Sequence, residues 1–75
     1  LDSIHTMKFT LTINCDNAAF KDNKNPADDL YACLDELARL LRIAAMNVES
    51  GSFSRQLHDA NGNACGRFDL EENSQ

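Results

Sequence analysis

The segment Pro26–Glu49, PADDLYACLDELARLLRIAAMNVE, decides the fold because it carries a continuous helical pattern. Apolar residues recur along it at alternating spacings of four and three, which places them on one face of an α-helix: Leu30, Leu34, Leu37, Leu41, Ala44 and Val48. Asn25 is a suitable N-cap, Pro26 fits the first helical position, and Gly51 can end the helix in a left-handed conformation. We therefore predict one helix over Pro26–Glu49 that buries this apolar stripe.

A strand is predicted before the helix. Met7–Cys15 alternates apolar and polar residues and is rich in Thr, Ile and Phe, which is typical of a half-buried strand. We expect Met7 to be the natural first residue and residues 1–6 to be a leader that comes from an expression vector. The predicted domain therefore spans residues 7–72, and residues 73–75 are expected to fray.

A β-hairpin is predicted after the helix, over Ser52–Glu71. Asn61-Gly62 is a preferred dipeptide of the two-residue type I′ turn. With that turn, Leu57 lies opposite Gly66, and one hairpin face becomes largely apolar. Its apolar residues are Phe53, Leu57, Phe68 and Leu70. The opposite face then carries polar residues and Cys65.

These three patterns predict an α+β fold of β-α-β-β order. One helix packs on one face of a three-stranded, mainly antiparallel sheet, because each element has only one apolar side to bury. The strand order 1-3-2 is favoured, since all neighbouring strands are then antiparallel, and the order 1-2-3 stays open.

Composition restricts the classes of function. Seventy-five residues with 43% apolar and 25% charged content make one globular domain at most. The net charge of −5 repels phosphate, so a nucleic acid partner is disfavoured. No apolar run is long enough to span a bilayer, and the three cysteines form no C-x-x-C pair. We expect a cytoplasmic protein with reduced cysteines and no membrane contact.

Candidate catalytic and metal-binding groups are few. His58 and Cys65 would face each other across the hairpin, and a Cys–His pair can form an activated nucleophile. However, an open sheet face offers neither a pocket nor oxyanion donors, and further metal ligands at a recognisable spacing are lacking. The polar segment Asp16–Asn25 also lacks the pattern of a calcium loop. We therefore predict a non-enzymatic protein with no catalytic residues, metal or cofactor.

Four stretches resemble a family of small uncharacterised proteins encoded by bacteriophages, prophages and other mobile elements. They are Met7–Ile13, Asp16–Phe20, Leu37–Arg42 and Asp59–Asn63, and the likeness extends over nearly all of residues 7–72. The resemblance implies a source and a fold. It implies no activity, and it transfers no functional residue to this chain.

The leading functional hypothesis is a small protein-interaction module, a phage or mobile-element accessory protein that binds or inhibits a host protein. The candidate surface combines a helix ridge with the outer sheet face: Leu40, Ile43 and Met46, then Lys8, Thr10, Thr12, His58 and Arg67. The first strand could pair with its copy, or the helix ridge could pack against its copy, and we therefore predict a homodimer. The alternative is a nucleic-acid-binding regulator that acts as a dimer.

Overall fold

The computed structural model describes residues 5–22 and 24–74. Strand β1 covers His5–Ile13, helix α1 covers Asp29–Glu49, and strands β2 and β3 cover Ser54–His58 and Ala64–Ser74. Two 3₁₀ turns, Ala18–Phe20 and Pro26–Asp28, lie between β1 and α1. These elements confirm the predicted α+β fold class with its β-α-β-β order.

The three strands form one antiparallel sheet in the order β1-β3-β2. The β1 register pairs Phe9 with Leu70 and Leu11 with Phe68, so apolar residues of both strands share one face. The pairing extends to His5 and Thr6, which lie opposite Ser74 and Asn73. Two residues of the predicted leader and two of the predicted frayed end therefore belong to the sheet, whereas residues 1–4 and 75 lie outside the described part.

The α-helix begins at Asp29, three residues after the predicted start at Pro26, and the predicted cap belongs to the 3₁₀ turn before it. The Asn25 side chain accepts a hydrogen bond from the Ala27 amide at 3.1 Å, and Pro26 opens the 3₁₀ turn that leads into α1. Past the other end, Gly51 has a φ of +99°, which a residue with a Cβ adopts only at a cost.

The predicted type I′ turn is wrong. Its two central residues would both need a positive φ, but Gly62 has a φ of +84° and no residue other than glycine in the described ranges has one. Instead, the Gly62 amide donates to the Asp59 carbonyl at 2.9 Å, and the Asp59 amide donates to the Asn63 carbonyl at 2.8 Å. The Asp59 carboxylate accepts from the Asn61 and Asn63 amides, both at 2.9 Å, which stabilises this wider loop.

A β-bulge follows from the wider loop. Leu57 lies opposite Gly66 as predicted, but His58 lies opposite Ala64, so Cys65 is the extra residue on β3. Cys65 is buried in the core and does not lie on the polar face. The core consists of Phe20, Leu40, Ala44, Leu57, Cys65 and Phe68.

The helix buries a different face from the predicted one. Leu40 is 0% exposed and Glu36 is 7% exposed, whereas Leu30, in the predicted buried stripe, is 65% exposed. The observed buried face lies about a quarter turn around the helix axis from that stripe. This rotation arises because α1 packs mainly on the Ala18–Phe20 turn and on β2, where Leu40 meets the core.

Candidate interaction surface

The predicted helix ridge does not exist as a surface. Leu40 is at the centre of the core, and Ile43 is half-buried against it. Only Met46, at 67% exposure, is accessible. The prediction was wrong because the helix buries a side about a quarter turn from the predicted stripe, and Leu40 lies at the centre of that side.

The predicted sheet residues are exposed, and four of them share the outer face of the sheet. Lys8, Thr10 and Thr12 alternate along β1, and Thr12 lies opposite Arg67. The Arg67 guanidinium donates to both carboxylate oxygens of Asp69 at 2.9 Å. This interaction is the main reason that the pKa of Asp69 lies below its ordinary value, and a hydrogen bond from Ser54 lowers it further. The charge of Arg67 is therefore already paired.

His58 and Cys65 do not form the arrangement expected of a nucleophile and its base. His58 is exposed at the end of β2, whereas the bulge places Cys65 in the core. The Cys65 sulfur lies 3.7 Å from the Leu57 carbonyl oxygen, and burial raises the pKa of its thiol. A buried thiol with a raised pKa is a poor nucleophile at neutral pH. Across the described residues, no group of three or more His, Cys, Asp or Glu side chains is arranged to hold a metal ion.

A polar cluster joins the hairpin loop to the rest of the fold. The Glu36 carboxylate accepts two hydrogen bonds from Arg39, at 2.9 and 2.7 Å, and one from the Ala60 amide at 2.7 Å. Asp59, 4% exposed, also accepts a hydrogen bond from the Asn17 side chain at 2.9 Å. Both acids are buried with good partners, so the cluster is suited to positioning the loop.

The surface that sequence reasoning missed is apolar. Eight large side chains, between 37% and 70% exposed, form what we call the apolar face. Four come from α1, three from the sheet and one from the residue before β2: Leu30, Leu34, Leu41 and Val48, then Met7, Phe9 and Leu70, then Phe53. The helix pattern did contain the signal, because those four helical residues belong to the stripe that was predicted to be buried.

Six members of the apolar face line two hollows, and helical spacing places the other two, Leu30 and Leu34, on the same stripe as Leu41. An open groove of about 450 Å³ separates α1 from β1, with Phe9 and Leu11 on the strand side and Leu41 and Val48 on the helix side. A smaller hollow of about 120 Å³ is lined by Met7, Phe53, Leu70 and Glu72. Phe9 links the groove to the core, since its ring centroid lies 5.6 Å from that of Phe68.

The free edge of β1 borders this groove. The Asn14 amide donates to the Cys65 carbonyl at 2.7 Å, which fixes the direction of the backbone groups along the strand. Because these directions alternate along the strand, the even-numbered residues of β1 point their backbone N–H and C=O groups toward β3. The odd-numbered residues direct their N–H and C=O groups away from the sheet: Met7, Phe9, Leu11 and Ile13. In the described part of the chain, no strand pairs with this edge.

Comparison with known proteins adds no family. No protein-family model matches the chain, and neither a curated protein nor a solved structure matches it. The resemblance to phage-encoded proteins therefore stays a prediction. Among the helices within residues 5–22 and 24–74, none has the length and apolar character needed to cross a membrane.

Proposed function

We propose that this chain is a small non-enzymatic protein-interaction module that binds a polypeptide through its apolar face. The observation that carries the proposal is the extent of that face. At roughly 150–200 Å² for a fully exposed large side chain, its eight members offer on the order of 700 Å² of apolar surface. The largest apolar patch on a typical monomer is about 300–600 Å², and larger patches mark interaction sites.

The continuity of the apolar face supports the same proposal. Phe9 lies beside Leu70 in the sheet and beside Leu41 and Val48 in the groove. A partner that fills the groove would therefore contact helix and sheet together. Shape of this kind, with a concave apolar centre, suits a large apolar side chain inserted from another polypeptide.

The ionisable groups favour binding over catalysis. Glu36 and Asp59 are buried acids whose oxygen atoms already accept hydrogen bonds, and Cys65 is buried with a raised pKa. A catalytic acid, base or nucleophile must instead reach a substrate with a suitable pKa. The phage or mobile-element origin belongs to this proposal and is supported by the sequence resemblance, and a host protein is one candidate for the bound polypeptide.

The nucleic acid alternative receives less support. Arg67 is paired with Asp69 and Arg39 with Glu36, and Lys8 lies opposite Glu71 in the sheet. Such a regulator would use four basic residues, Lys8, Arg39, Arg42 and Arg67, and three of them thus have an acidic neighbour in a chain whose net charge is −5. Binding to phosphate would require these pairs to open.

Capture by a tagged chain tests the proposal. The tagged chain is mixed with cell lysate that also contains an untagged copy, and bound polypeptides are identified. We expect Leu34→Glu and Leu41→Glu to lose a polypeptide that the wild type retains, because each places a charge on the apolar face. Met46→Glu is the matched control, since Met46 is an exposed apolar residue on another side of the same helix. Equal capture by all four chains would refute the proposal.

A further inference from the structure

The hydrophobic core of the described residues is small for a chain of 75 residues: Phe20, Leu40, Ala44, Leu57, Cys65 and Phe68. Small domains with limited cores often gain stability by associating with another chain.

The exposed apolar area has the size of one side of a stable interface. The apolar face offers on the order of 700 Å², and a standard protein–protein interface buries about 800 Å² on each partner. One neighbour of ordinary size could therefore cover it. Because the groove within this face borders the free edge of β1, a neighbour that covers both must supply apolar side chains and backbone partners together.

Strand β1 can supply both to a copy of itself. It pairs with β3 over nine residues from His5 to Ile13 without a register shift, and it contains no proline. Edge strands that avoid pairing use prolines, bulges or several charges, and Lys8 is the only lysine, arginine or acid in β1. Its free edge is therefore competent to bind another strand.

We propose that the polypeptide bound by the apolar face is a second copy of this chain, paired antiparallel through β1 about a two-fold axis. The inference rests on the proposed function and names its partner. The result is a six-stranded sheet in which both helices lie on the same side. The two copies use the same surface, as an isologous interface requires.

Two-fold pairing gives the backbone groups of β1 hydrogen-bond partners and also places its apolar side chains beside those of the second copy. In this arrangement the odd-numbered residues of one β1 lie opposite odd-numbered residues of the other. The outward N–H and C=O groups of Phe9 and Leu11 therefore meet groups that point toward them. The apolar side chains of both copies then lie on the helix side of the joined sheet. Phe9 of the second copy extends the apolar floor beside Leu41 and Val48 of the first.

Sedimentation equilibrium and amide hydrogen exchange together test the inference. We expect a mass of twice 8.3 kDa for the wild type at about 100 μM. Leu41→Glu and Ala45→Glu should be monomeric, because both residues line the groove, and Met46→Glu should remain dimeric. Ala45→Glu guards against misfolding of the Leu41 variant, and circular dichroism checks that each variant retains its secondary structure.

Hydrogen exchange locates the interface on β1. The Phe9 and Leu11 amides should exchange on the order of tenfold more slowly in the wild type than in the monomeric variant, since only the dimer gives them acceptors. The Thr10 and Thr12 amides face β3 and should stay equally protected in both. A wild-type monomer, or a dimer in which the Phe9 and Leu11 amides exchange rapidly, would overturn the inference.

The capture experiment separates this inference from the proposed function. A monomeric wild type that binds another protein, with binding lost in Leu41→Glu, would refute self-pairing and support the interaction module. If Leu41→Glu changes neither mass nor capture, both are refuted.

Discussion

The Glu36 carboxylate accepts a hydrogen bond from the Ala60 amide at 2.7 Å, joining residues 24 positions apart in the chain. Arg39, which donates to the same carboxylate, also reaches the His58 carbonyl at 3.4 Å. These contacts attach one side of α1 to the hairpin loop. A helix rotated to bury the Leu30 side would turn Glu36 away from Ala60. The polar contact therefore helps to select the buried face of the helix.

Replacing Glu36 by glutamine should destabilise the fold. The amide keeps the size of the side chain but loses the negative charge that Arg39 and the Ala60 amide bind. We expect the free energy of unfolding to fall by about 1–3 kcal/mol, measured by urea unfolding at pH 7. Asp35→Asn is the control, because Asp35 is exposed on the same helix. Equal losses in the two variants would contradict the role given to Glu36.

Alanine substitutions at Leu40 and Leu30 should differ strongly. Leu40 is 0% exposed and Leu30 is 65% exposed, although the sequence pattern predicted Leu30 to be buried. We expect Leu40→Ala to lower the free energy of unfolding by about 2–5 kcal/mol. Leu30→Ala should change it by less than about 0.5 kcal/mol, as surface substitutions usually do. The opposite order of stability, again from urea unfolding, would show that the helix buries the predicted stripe.

The fold class was predictable because it depends on local patterns. Alternation along β1 indicates a strand with two different faces, and the cap residues Asn25 and Pro26 indicate the 3₁₀ turn that leads into the helix. The favoured strand order followed because it makes every neighbouring pair antiparallel.

The buried side of the helix was not predictable from period alone. Cys33, Leu40 and Ala44 form a second apolar row, so α1 offers two faces that could enter a core. Tertiary contacts decide between them, namely those of Leu40 with the core and of Glu36 with the hairpin loop. The same error concealed the candidate site, since the row assigned to the core forms half of the apolar face.

The hairpin loop shows a similar competition. Asn61-Gly62 suits a two-residue turn, but the Asp59 carboxylate stabilises a wider loop by accepting hydrogen bonds from two amides. Only this choice shifts Cys65 away from His58 and into the core. The predicted Cys–His pair therefore depended on a turn that the chain does not form.

Two glycine substitutions should separate strain from steric overlap. Gly62 has a φ of +84° and open space around an added Cβ, so Gly62→Ala should cost about 1–2 kcal/mol through its backbone conformation. An added Cβ on Gly66 would overlap the Thr12 carbonyl oxygen and lie 2.9 Å from the Ile13 Cα. Because both obstacles are backbone atoms of β1, Gly66→Ala should destabilise more than Gly62→Ala. Similar urea midpoints for the two variants would contradict the close approach of β1 and β3.

Alkylation of the cysteines should be slow in the native protein. Burial raises the pKa of the Cys65 thiol. Burial is also the main reason that the pKa of Cys15 is raised, and a hydrogen bond with Cys33 raises it further. We expect iodoacetamide at pH 7.5 to modify Cys65 far more slowly in the native protein than in urea, as followed by peptide mass spectrometry. The urea-unfolded chain is the control, in which all three thiols should react alike. Rapid native modification of Cys65 would restore the hypothesis of a catalytic nucleophile.

The free energy of unfolding should decrease in acid. Hydrogen bonds from Arg39, with a further one from the Ala60 amide, hold the pKa of Glu36 below its ordinary value. Hydrogen bonds also lower the pKa of Asp59, and the one from the Asn63 amide contributes most. A carboxyl with a lower pKa in the folded state binds fewer protons there than in the unfolded state. Its stabilisation is therefore complete above the unfolded pKa near 4 and is lost as the pH falls through the folded pKa.

Variants at these acids should lose this pH dependence in part. We expect Asp59→Asn to be less stable than the wild type at pH 7, with a difference that narrows by pH 3 because the Asp59 carboxyl of the unfolded wild-type chain then binds a proton. Urea unfolding at pH 7, 5, 4 and 3 measures the difference, and Glu36→Gln should behave in the same way. Asp35→Asn is the control, since Asp35 is an exposed acid on the same helix as Glu36. A difference between wild type and Asp59→Asn that stays constant from pH 7 to pH 3 would contradict the lowered pKa of Asp59.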